Sequence, residues 1–138
     1  MNHDLQKARM LLESGEFTCV LCREDAVYTA TDRGVKPLVN WLDSDLDLRN
    51  FSAADRVVGR ATAFLYRLLG VQAVYARVMS RPAAEVLGAA NIHWETTQLV
   101  EGIINRRGTG PCPFESAVMD IHDPAKALTA IRKKMQQL

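Results

Sequence analysis

The sequence has no apolar run long enough to cross a membrane, few aromatic residues and almost no excess charge. A membrane-spanning helix needs about 20 consecutive apolar residues, and no segment of this chain approaches that length. Aromatic residues make up 7% of the chain, too few for a platform that stacks single-stranded nucleic acid. The formal net charge of +1 argues against broad binding to nucleic acid. We therefore expect no membrane partner and no nucleic-acid partner.

Cysteine is also scarce, and its count of three is odd. Residues 1–7 lack the hydrophobic region that a signal peptide needs. Without a signal sequence, an odd number of cysteines is typical of reduced thiols in a reducing compartment. The sequence therefore predicts a cytoplasmic protein without disulfide bonds.

Hydrophobic residues are plentiful at 48%, which is enough for a chain of 138 residues to bury the core of one domain, residues 1–138. In the first third, apolar spacing and turn residues predict a helix, a β-hairpin and a second, short helix. Their expected extents are a helix from Asp4 to Ser14, strands Phe17–Cys22 and Ala26–Ala30, and a helix from Pro37 to Leu42.

The most regular helical pattern follows Ser52. Apolar residues recur at helical spacing, and Gly70 supplies a stop. The spacing of Ser52 and Asp55 is that of a capping box, so a helix is predicted from Ser52 to Gly70. Its apolar positions are Val57, Val58, Ala61, Phe64, Leu65 and Leu68.

The second half alternates between strand and helix patterns. A strand, a helix and a strand in succession predict a parallel pair of strands, and hence an α/β fold. The expected elements are a strand Val71–Met79, helix Pro82–Ala90, strand Ile92–Thr97, helices Leu99–Asn105 and Pro113–Ile121, and a last helix from Asp123.

The element order and three motifs resemble a known superfamily. The motifs are Arg33–Leu38 (RGVKPL), Ala53–Gly59 (AADRVVG) and Gly108–Pro113 (GTGPCP). Together they resemble an uncharacterised prokaryotic family, a domain of unknown function, within the cytidine deaminase-like superfamily. The resemblance implies a three-layer α/β sandwich, in which a mixed sheet carries helices on both faces. It also implies, by analogy, a homo-oligomer.

The zinc ligands of that superfamily are missing. Zinc deaminases carry His-x-Glu or Cys-x-Glu at the start of one core helix and Pro-Cys-x-x-Cys at the start of the next. The corresponding positions here are predicted to be Ala53–Asp55 and Pro82–Val86, which offer Ala53, Ala83 and Val86 in place of metal donors. The chain is therefore not expected to be a zinc deaminase, and no metal or other cofactor is predicted.

The remaining cysteines and histidines do not suggest another metal site. Cys19 and Cys22 have C-x-x-C spacing, but residues three apart on a strand point to opposite faces of the sheet. The three histidines, His3, His93 and His122, have no ligand spacing. These residues are interpreted as ordinary strand and surface side chains.

The loop that precedes Pro113 carries the most distinctive chemistry. Cys112 is predicted to be the N-cap of a helix, and Glu115 could reach back to it as in a capping box. A helix N-terminus, two upstream glycines and two arginines favour either a bound anion or a cysteine thiolate. A rigid turn in which Cys112 only packs and caps the helix is the third interpretation. The proposed ligand contacts in this loop are Arg106, Arg107, Gly108, Thr109 and Gly110.

Five further residues are candidates for the same site. Arg33 and Lys36 flank a glycine turn at a helix start, either as a second arm of an anion site or as the end of the hairpin. Asp55 is a helix cap or, alternatively, an acid/base group or a contact to a ribose hydroxyl. Ser80 and Arg81 follow a strand of the predicted parallel pair, where open α/β sheets place ligand contacts.

Three functions remain open from the sequence. The first is binding of a small anionic molecule, such as a nucleotide or phosphorylated metabolite. The second is an enzyme that uses Cys112 as a nucleophile, with Asp55 as the other candidate catalytic group. The third is a non-catalytic, oligomeric interaction or regulatory module.

Overall fold

A computed structural model describes residues 2–105 and 107–138. Within these residues, strands and helices alternate along most of the chain. In chain order they are α1 His3–Glu13, β1 Cys19–Arg23, β2 Ala26–Ala30, α2 Lys36–Leu42, β3 Ser52–Val58, α3 Arg60–Leu69, β4 Ala73–Ser80, α4 Arg81–Ala89, β5 His93–Val100, α5 Pro113–Val118 and α6 Pro124–Gln137.

The strands form one mixed sheet in the order β2–β1–β3–β4–β5. Strand β1 is antiparallel to both of its neighbours, whereas β3, β4 and β5 run parallel. The predicted hairpin and the predicted parallel pair are both present, so the α/β fold class is confirmed.

Helices cover both faces of the sheet. On β1, Val20 and Cys22 pack into a cluster with residues of α1, while Cys19 and Leu21 join the larger core that contains α2, α3 and α4. Cys19 and Cys22 therefore face opposite sides of the sheet, as the two-residue period of a strand requires.

The prediction of one long helix from Ser52 was wrong. Residues Ser52–Val58 form the central strand β3, and α3 begins only at Arg60. Strand β3 has a neighbour on each side and helices on both faces, so most of its residues are buried and it shows no alternation of buried and exposed positions. Small residues suit this position, since Ala53 and Ala54 pack against opposite layers. The second half of the prediction holds, because α3 ends at Gly70 in the left-handed conformation, with φ 78°.

The predicted helix Leu99–Asn105 is also absent. Strand β5 runs to Val100, and the chain continues as a loop in which Ile104 and Pro111 form an isolated antiparallel bridge. Four of the seven residues of the predicted helix are apolar, but Leu99 and Ile104 are exposed. The apolar spacing therefore does not correspond to a buried helix face, and a short helix has little stability without one. Among the described residues, no helix is both long enough and apolar enough to span a membrane.

The register of the sheet brings several loops together at one edge. Cys19, at the start of β1, pairs with both Ala30 at the end of β2 and Asp55 in β3. The loop that follows β2 and the turn from β3 into α3 consequently meet at the carboxyl end of β3. In open α/β sheets this edge is where ligands bind.

Candidate functional site

A cavity of about 340 Å³ lies at the carboxyl end of β3. Its walls come from four parts of the chain: Thr18 and Cys19 at the start of β1, residues 32–35 and 37 after β2, residues 55–57 with the start of α3, and residues 103, 112, 114 and 115 from the loop and α5. The volume lies within the range of about 300–1,000 Å³ found for small-molecule sites.

Asp55 is the only carboxyl group among the cavity-lining residues that is almost fully buried, with 8% of its surface exposed. The Tyr66 hydroxyl donates a hydrogen bond to its Oδ2 at 2.7 Å, and the Val57 backbone N–H approaches Oδ1 at 3.4 Å. The Cys19 Sγ lies 3.0 Å from the Tyr66 oxygen. These contacts hold the Asp55 carboxyl in one orientation from two sides.

Burial changes the acidity of all three members of this network. It raises the pKa of Asp55 to about 6, against the opposing effect of the hydrogen bonds from Tyr66 and the backbone. Burial also raises the pKa of the Cys19 thiol and of the Tyr66 hydroxyl, and the nearby Asp55 charge raises both further. Cys19 and Tyr66 therefore stay protonated at neutral pH, and Asp55 is the member that titrates near it. A carboxyl with a raised pKa in a cavity is a candidate functional group.

The second carboxylate of the cavity, that of Glu115, is bound at the start of α3. Its Oε1 accepts the Arg60 backbone N–H at 2.7 Å, and its Oε2 accepts the Ala61 N–H at 2.9 Å. A β-carbon at Gly59 would overlap this carboxylate, so any larger residue there would displace the Glu115 side chain from its present position. A negative group is stabilised at this position because the first N–H groups of a helix are free and carry partial positive charge.

A second link between α3 and α5 is made by a side chain of α3, that of Arg60. Its guanidinium donates to the backbone oxygens of Val118, at the end of α5, and of Ile121. An arginine is favourable there because the last carbonyl groups of a helix carry partial negative charge. Glu115 and Arg60 thus join the two helices at both ends of α5.

The capping box predicted at Cys112 is therefore wrong. Cys112 is the N-cap residue of α5, but its side chain makes no capping hydrogen bond, and its N–H donates to the Ile103 oxygen. The Glu115 side chain bonds α3 because those N–H groups lie within its reach in space. Cys112 does line the cavity and is partly buried.

We expect Cys112 to be alkylated by iodoacetamide much faster than Cys19 and Cys22 in the folded protein. Both strand cysteines are buried, with at most 2% of their surface exposed, whereas Cys112 is accessible. Mass spectrometry of timed digests measures the three rates. The same reaction in denaturant is the control and should remove the difference, and equal rates in the folded protein would contradict the burial described here.

The structure brings some of the predicted site residues to the cavity and places others elsewhere. Arg33 and Asp55 line it, while Lys36, the first residue of α2, is exposed and outside the lining. Ser80 is buried as the N-cap of α4, where it accepts the Ala83 N–H at 3.2 Å. Arg81 forms an exposed ion pair with Glu101.

The glycine loop also lies outside the cavity lining. Arg107, Gly108 and Thr109 are exposed, and the Asn105 side chain accepts the Thr109 N–H at 3.0 Å. Gly110 joins them through its carbonyl, which accepts the Asn105 N–H. Arg106 lies outside the described residues. Of the loop residues that the structure describes, Ile103 and Cys112 reach the cavity.

The segment Ala53–Asp55, predicted to correspond to the zinc-binding helix start of the deaminases, does not begin a helix. Ala53–Asp55 lies within β3, and the helix start that follows is Gly59, Arg60 and Ala61, none of which offers a thiolate, imidazole or carboxylate. At the next helix start, Ala83 and Val86 are buried on α4. Within residues 2–105 and 107–138, no three His, Cys, Asp or Glu side chains cluster in a way that could hold a metal ion.

Residues 7–135 match the sequence model of a family described as TM1506, domain of unknown function (DUF1893). The match covers most of the chain. This protein belongs to the DUF1893 family. Membership in a family without an assigned function agrees with the resemblance noted from the sequence.

A solved structure agrees with this assignment. The crystal structure of a DUF1893 family protein, TM1506 from Thermotoga maritima, superposes with a TM-score of 0.87 and 20% sequence identity. The alignment covers 97% of the present chain and 92% of that protein. At this identity the likeness establishes a shared fold. No curated protein matches the chain.

Sequence reasoning missed two members of the site. Tyr66 was not singled out from the sequence, although it lies in α3 and a buried tyrosine hydroxyl normally needs a partner. Gly59 looked like a small residue inside a helix, whereas it ends the extended segment and admits Glu115. A polar partner for Tyr66 could have been sought among the acidic residues, but nothing in the spacing identifies Asp55.

Proposed function

We propose that this protein binds a small molecule in the cavity at the carboxyl end of β3, with an anionic group of the ligand at Arg33. A nucleotide or a phosphorylated metabolite has suitable chemistry. The observation that carries the proposal is Asp55, a buried carboxyl group with a raised pKa that lines a cavity of ligand size. A buried, unpaired carboxyl group does not stabilise the fold, so we attribute Asp55 to ligand recognition.

Arg33 supports the anionic part of the proposal. It lies at the rim of the cavity, in the loop after β2, and is exposed. None of the ion pairs among the described residues includes it. A guanidinium can donate two parallel hydrogen bonds to a phosphate or carboxylate.

We further propose that the fold is cytidine deaminase-like. The element order and the mixed sheet with helices on both faces support this placement. In that superfamily the start of a core helix borders the ligand pocket, and here the start of α3 borders the cavity. Without donors at that helix start, the chemistry would be binding rather than zinc-dependent deamination.

A thiol enzyme is the second candidate, because Cys112 reaches the same cavity. Activation of a cysteine commonly needs a histidine or another base beside it. No histidine is among the cavity-lining residues that the structure describes. Binding is therefore the better-supported function, and homo-oligomerisation stays a prediction.

We expect a nucleotide or sugar phosphate to raise the melting temperature of the wild-type protein, and the rise to be lost in Arg33→Ala. A ligand that binds only the folded state must stabilise it, by about 3 kcal/mol at a hundredfold excess over Kd. Thermal-shift screening of nucleotides, nucleosides and sugar phosphates provides the measurement.

Lys126→Ala is the matched control, because Lys126 is exposed on α6 and remote from the lining of the cavity. It should respond to ligand as the wild type does. An unchanged melting temperature across the panel would count against an anionic ligand, and an equal loss in both variants would place the anion elsewhere.

A further inference from the structure

We propose that the floor of the cavity receives a cationic, N–H-donating group of the ligand on Asp55, and that Glu115 excludes anions from the same place. The recognised group is an amidinium, a guanidinium or an ammonium. The inference rests on the proposed binding function and deepens it: the ligand carries its positive end inward to Asp55 and its negative end outward to Arg33.

The first argument is the missing counter-charge of Asp55. Buried carboxylates are normally paired with a cation or bound to a metal. Among the described residues, no ion pair includes Asp55. The neighbouring Arg56 does not supply the charge, because its guanidinium donates to the backbone oxygens of Phe17 and Gly15.

The second argument is the state of the helix terminus beside Asp55. Free N–H groups at the start of α3 would normally attract an anion. Here the Arg60 and Ala61 N–H groups are already bound to the Glu115 carboxylate. An anion that entered this part of the cavity would meet the carboxylates of Asp55 and Glu115, and the Arg60 and Ala61 N–H groups would not be available to it. A cation would instead be attracted by both carboxylates.

The third argument is the acceptor capacity that Asp55 retains. Each carboxylate oxygen can accept about two hydrogen bonds. Oδ2 has one from the Tyr66 hydroxyl, and Oδ1 has one long contact from the Val57 N–H. The Cys19 thiol and the Arg56 N–H also lie near the carboxyl group, but that N–H donates to the Thr18 oxygen and the thiol is a weak donor. A flat amidinium or guanidinium can donate to both oxygens at once.

The proposed contact makes affinity depend on pH in a defined direction. Asp55 faces Tyr66 from α3, Cys19 from β1, and across the cavity Asp32, Arg33, Cys112 and Glu115. Tyr66 and Cys19 hold their protons in the neutral range, since burial raises the pKa of each. Asp55 loses its proton as pH rises through about 6, so a cation should bind more tightly at pH 7.5 than at pH 5.

Three probes that share one ring and differ in charge test this inference: benzamidine as the cation, benzamide as the neutral analogue and benzoate as the anion. Each is titrated into the ¹⁵N-labelled protein at constant ionic strength. We expect benzamidine to shift the backbone signals of Cys19, Val57 and Thr62, benzamide to bind more weakly, and benzoate not to bind there. Affinity for benzamidine should fall about tenfold or more in Asp55→Asn, as expected for loss of a charged hydrogen bond.

Two variants and the pH series separate the outcomes. Asp45→Asn removes an exposed acid remote from the cavity lining and should bind benzamidine as the wild type does. Glu115→Ala frees the start of α3 and should admit benzoate. Benzamidine affinity that is equal at pH 5 and pH 7.5 in the wild type, or equal in Asp55→Asn, would overturn the inference.

Failure of this inference and failure of the proposed function look different. If phosphates bind with a dependence on Arg33 and benzamidine does not bind, the binding function stands and the cation contact is wrong. If benzamidine binds through Asp55 and phosphates do not bind, the cation contact stands and the ligand lacks an anionic end. If neither class shifts a cavity signal, both proposals fail.

Discussion

Asp55→Asn is expected to raise the free energy of unfolding of the unliganded protein by up to about 3 kcal/mol at pH 7.5. In the folded state the pKa of Asp55 is raised from 3.8 to about 6, and a shift of about two units corresponds to about 3 kcal/mol. Burial disfavours the charged form, and the substitution removes the charge while keeping the shape. Urea denaturation followed by circular dichroism measures the change.

The sign of the pH dependence follows from the raised pKa. Below pH 3.8 the Asp55 carboxyl is protonated in both the folded and the unfolded chain, so its ionisation does not lower the free energy of unfolding. Between pH 3.8 and about 6 the unfolded chain loses its proton first, and stability falls as pH rises. Above about pH 6 the carboxyl is charged in both states, and the buried charge lowers the stability of the folded protein by its full amount. The advantage of Asp55→Asn should therefore appear over this interval and be absent near pH 3.5.

Asp45→Asn is the control for this prediction because Asp45 is exposed. It should change stability by less than about 0.5 kcal/mol. A large loss of stability in Asp55→Asn would mean that the carboxylate holds the fold together through Tyr66. A gain of stability together with a loss of benzamidine affinity is the pattern expected of a residue retained for function.

Gly59→Ala is expected to destabilise the protein by about 2 kcal/mol, and almost all of this cost should vanish in a Glu115→Ala background. The φ angle of Gly59 is −98°, which alanine adopts without strain. The cost therefore comes from the overlap of the new methyl group with the Glu115 carboxylate. Displacing that carboxylate breaks its bonds to the Arg60 and Ala61 N–H groups.

A double-mutant cycle measures this coupling. Glu115→Ala alone should cost about 1–2 kcal/mol, the usual value of a helix N-cap. The double variant should be no less stable than Glu115→Ala, which gives a coupling energy of about 2 kcal/mol. Gly88→Ala is the matched control, because a β-carbon at Gly88 would meet nothing within 4 Å. Equal costs of Gly59→Ala in both backgrounds would show that Glu115 does not occupy the start of α3.

Much of the architecture was predictable because local patterns carried it. The hairpin β1–β2, helix α4 and helix α6 were predicted with small errors at their ends, and the opposite orientations of Cys19 and Cys22 followed from the period of a strand. The three motifs and the element order also led to a family of unknown function, which the match to residues 7–135 confirms.

The site was less predictable because its contacts join residues that are distant in sequence. Arg33, Asp55 and Cys112 were candidates on local grounds, and the structure places all three on one cavity. Lys36, Ser80 and Arg81 were chosen by the same reasoning and lie elsewhere. The hydrogen-bond partners of Glu115 and of Asp55 depend on which groups face them after folding. The spacing of residues along the sequence does not predict these partners.

The sequence by itself determined the α/β class, the hairpin and the helices with one apolar face, since each depends on the order of residues along a short segment. It also indicated a family of unknown function, as the match to residues 7–135 shows. Only the tertiary structure decided that Ser52–Val58 is a strand, because a central strand is buried by neighbours on every side and loses its alternating pattern. Tertiary structure likewise decided that Asp55 is buried with no ion pair to any of the described residues, and that Glu115 binds the start of α3. Burial and charge pairing are properties of the surroundings of a residue, and the surroundings exist only once the chain has folded.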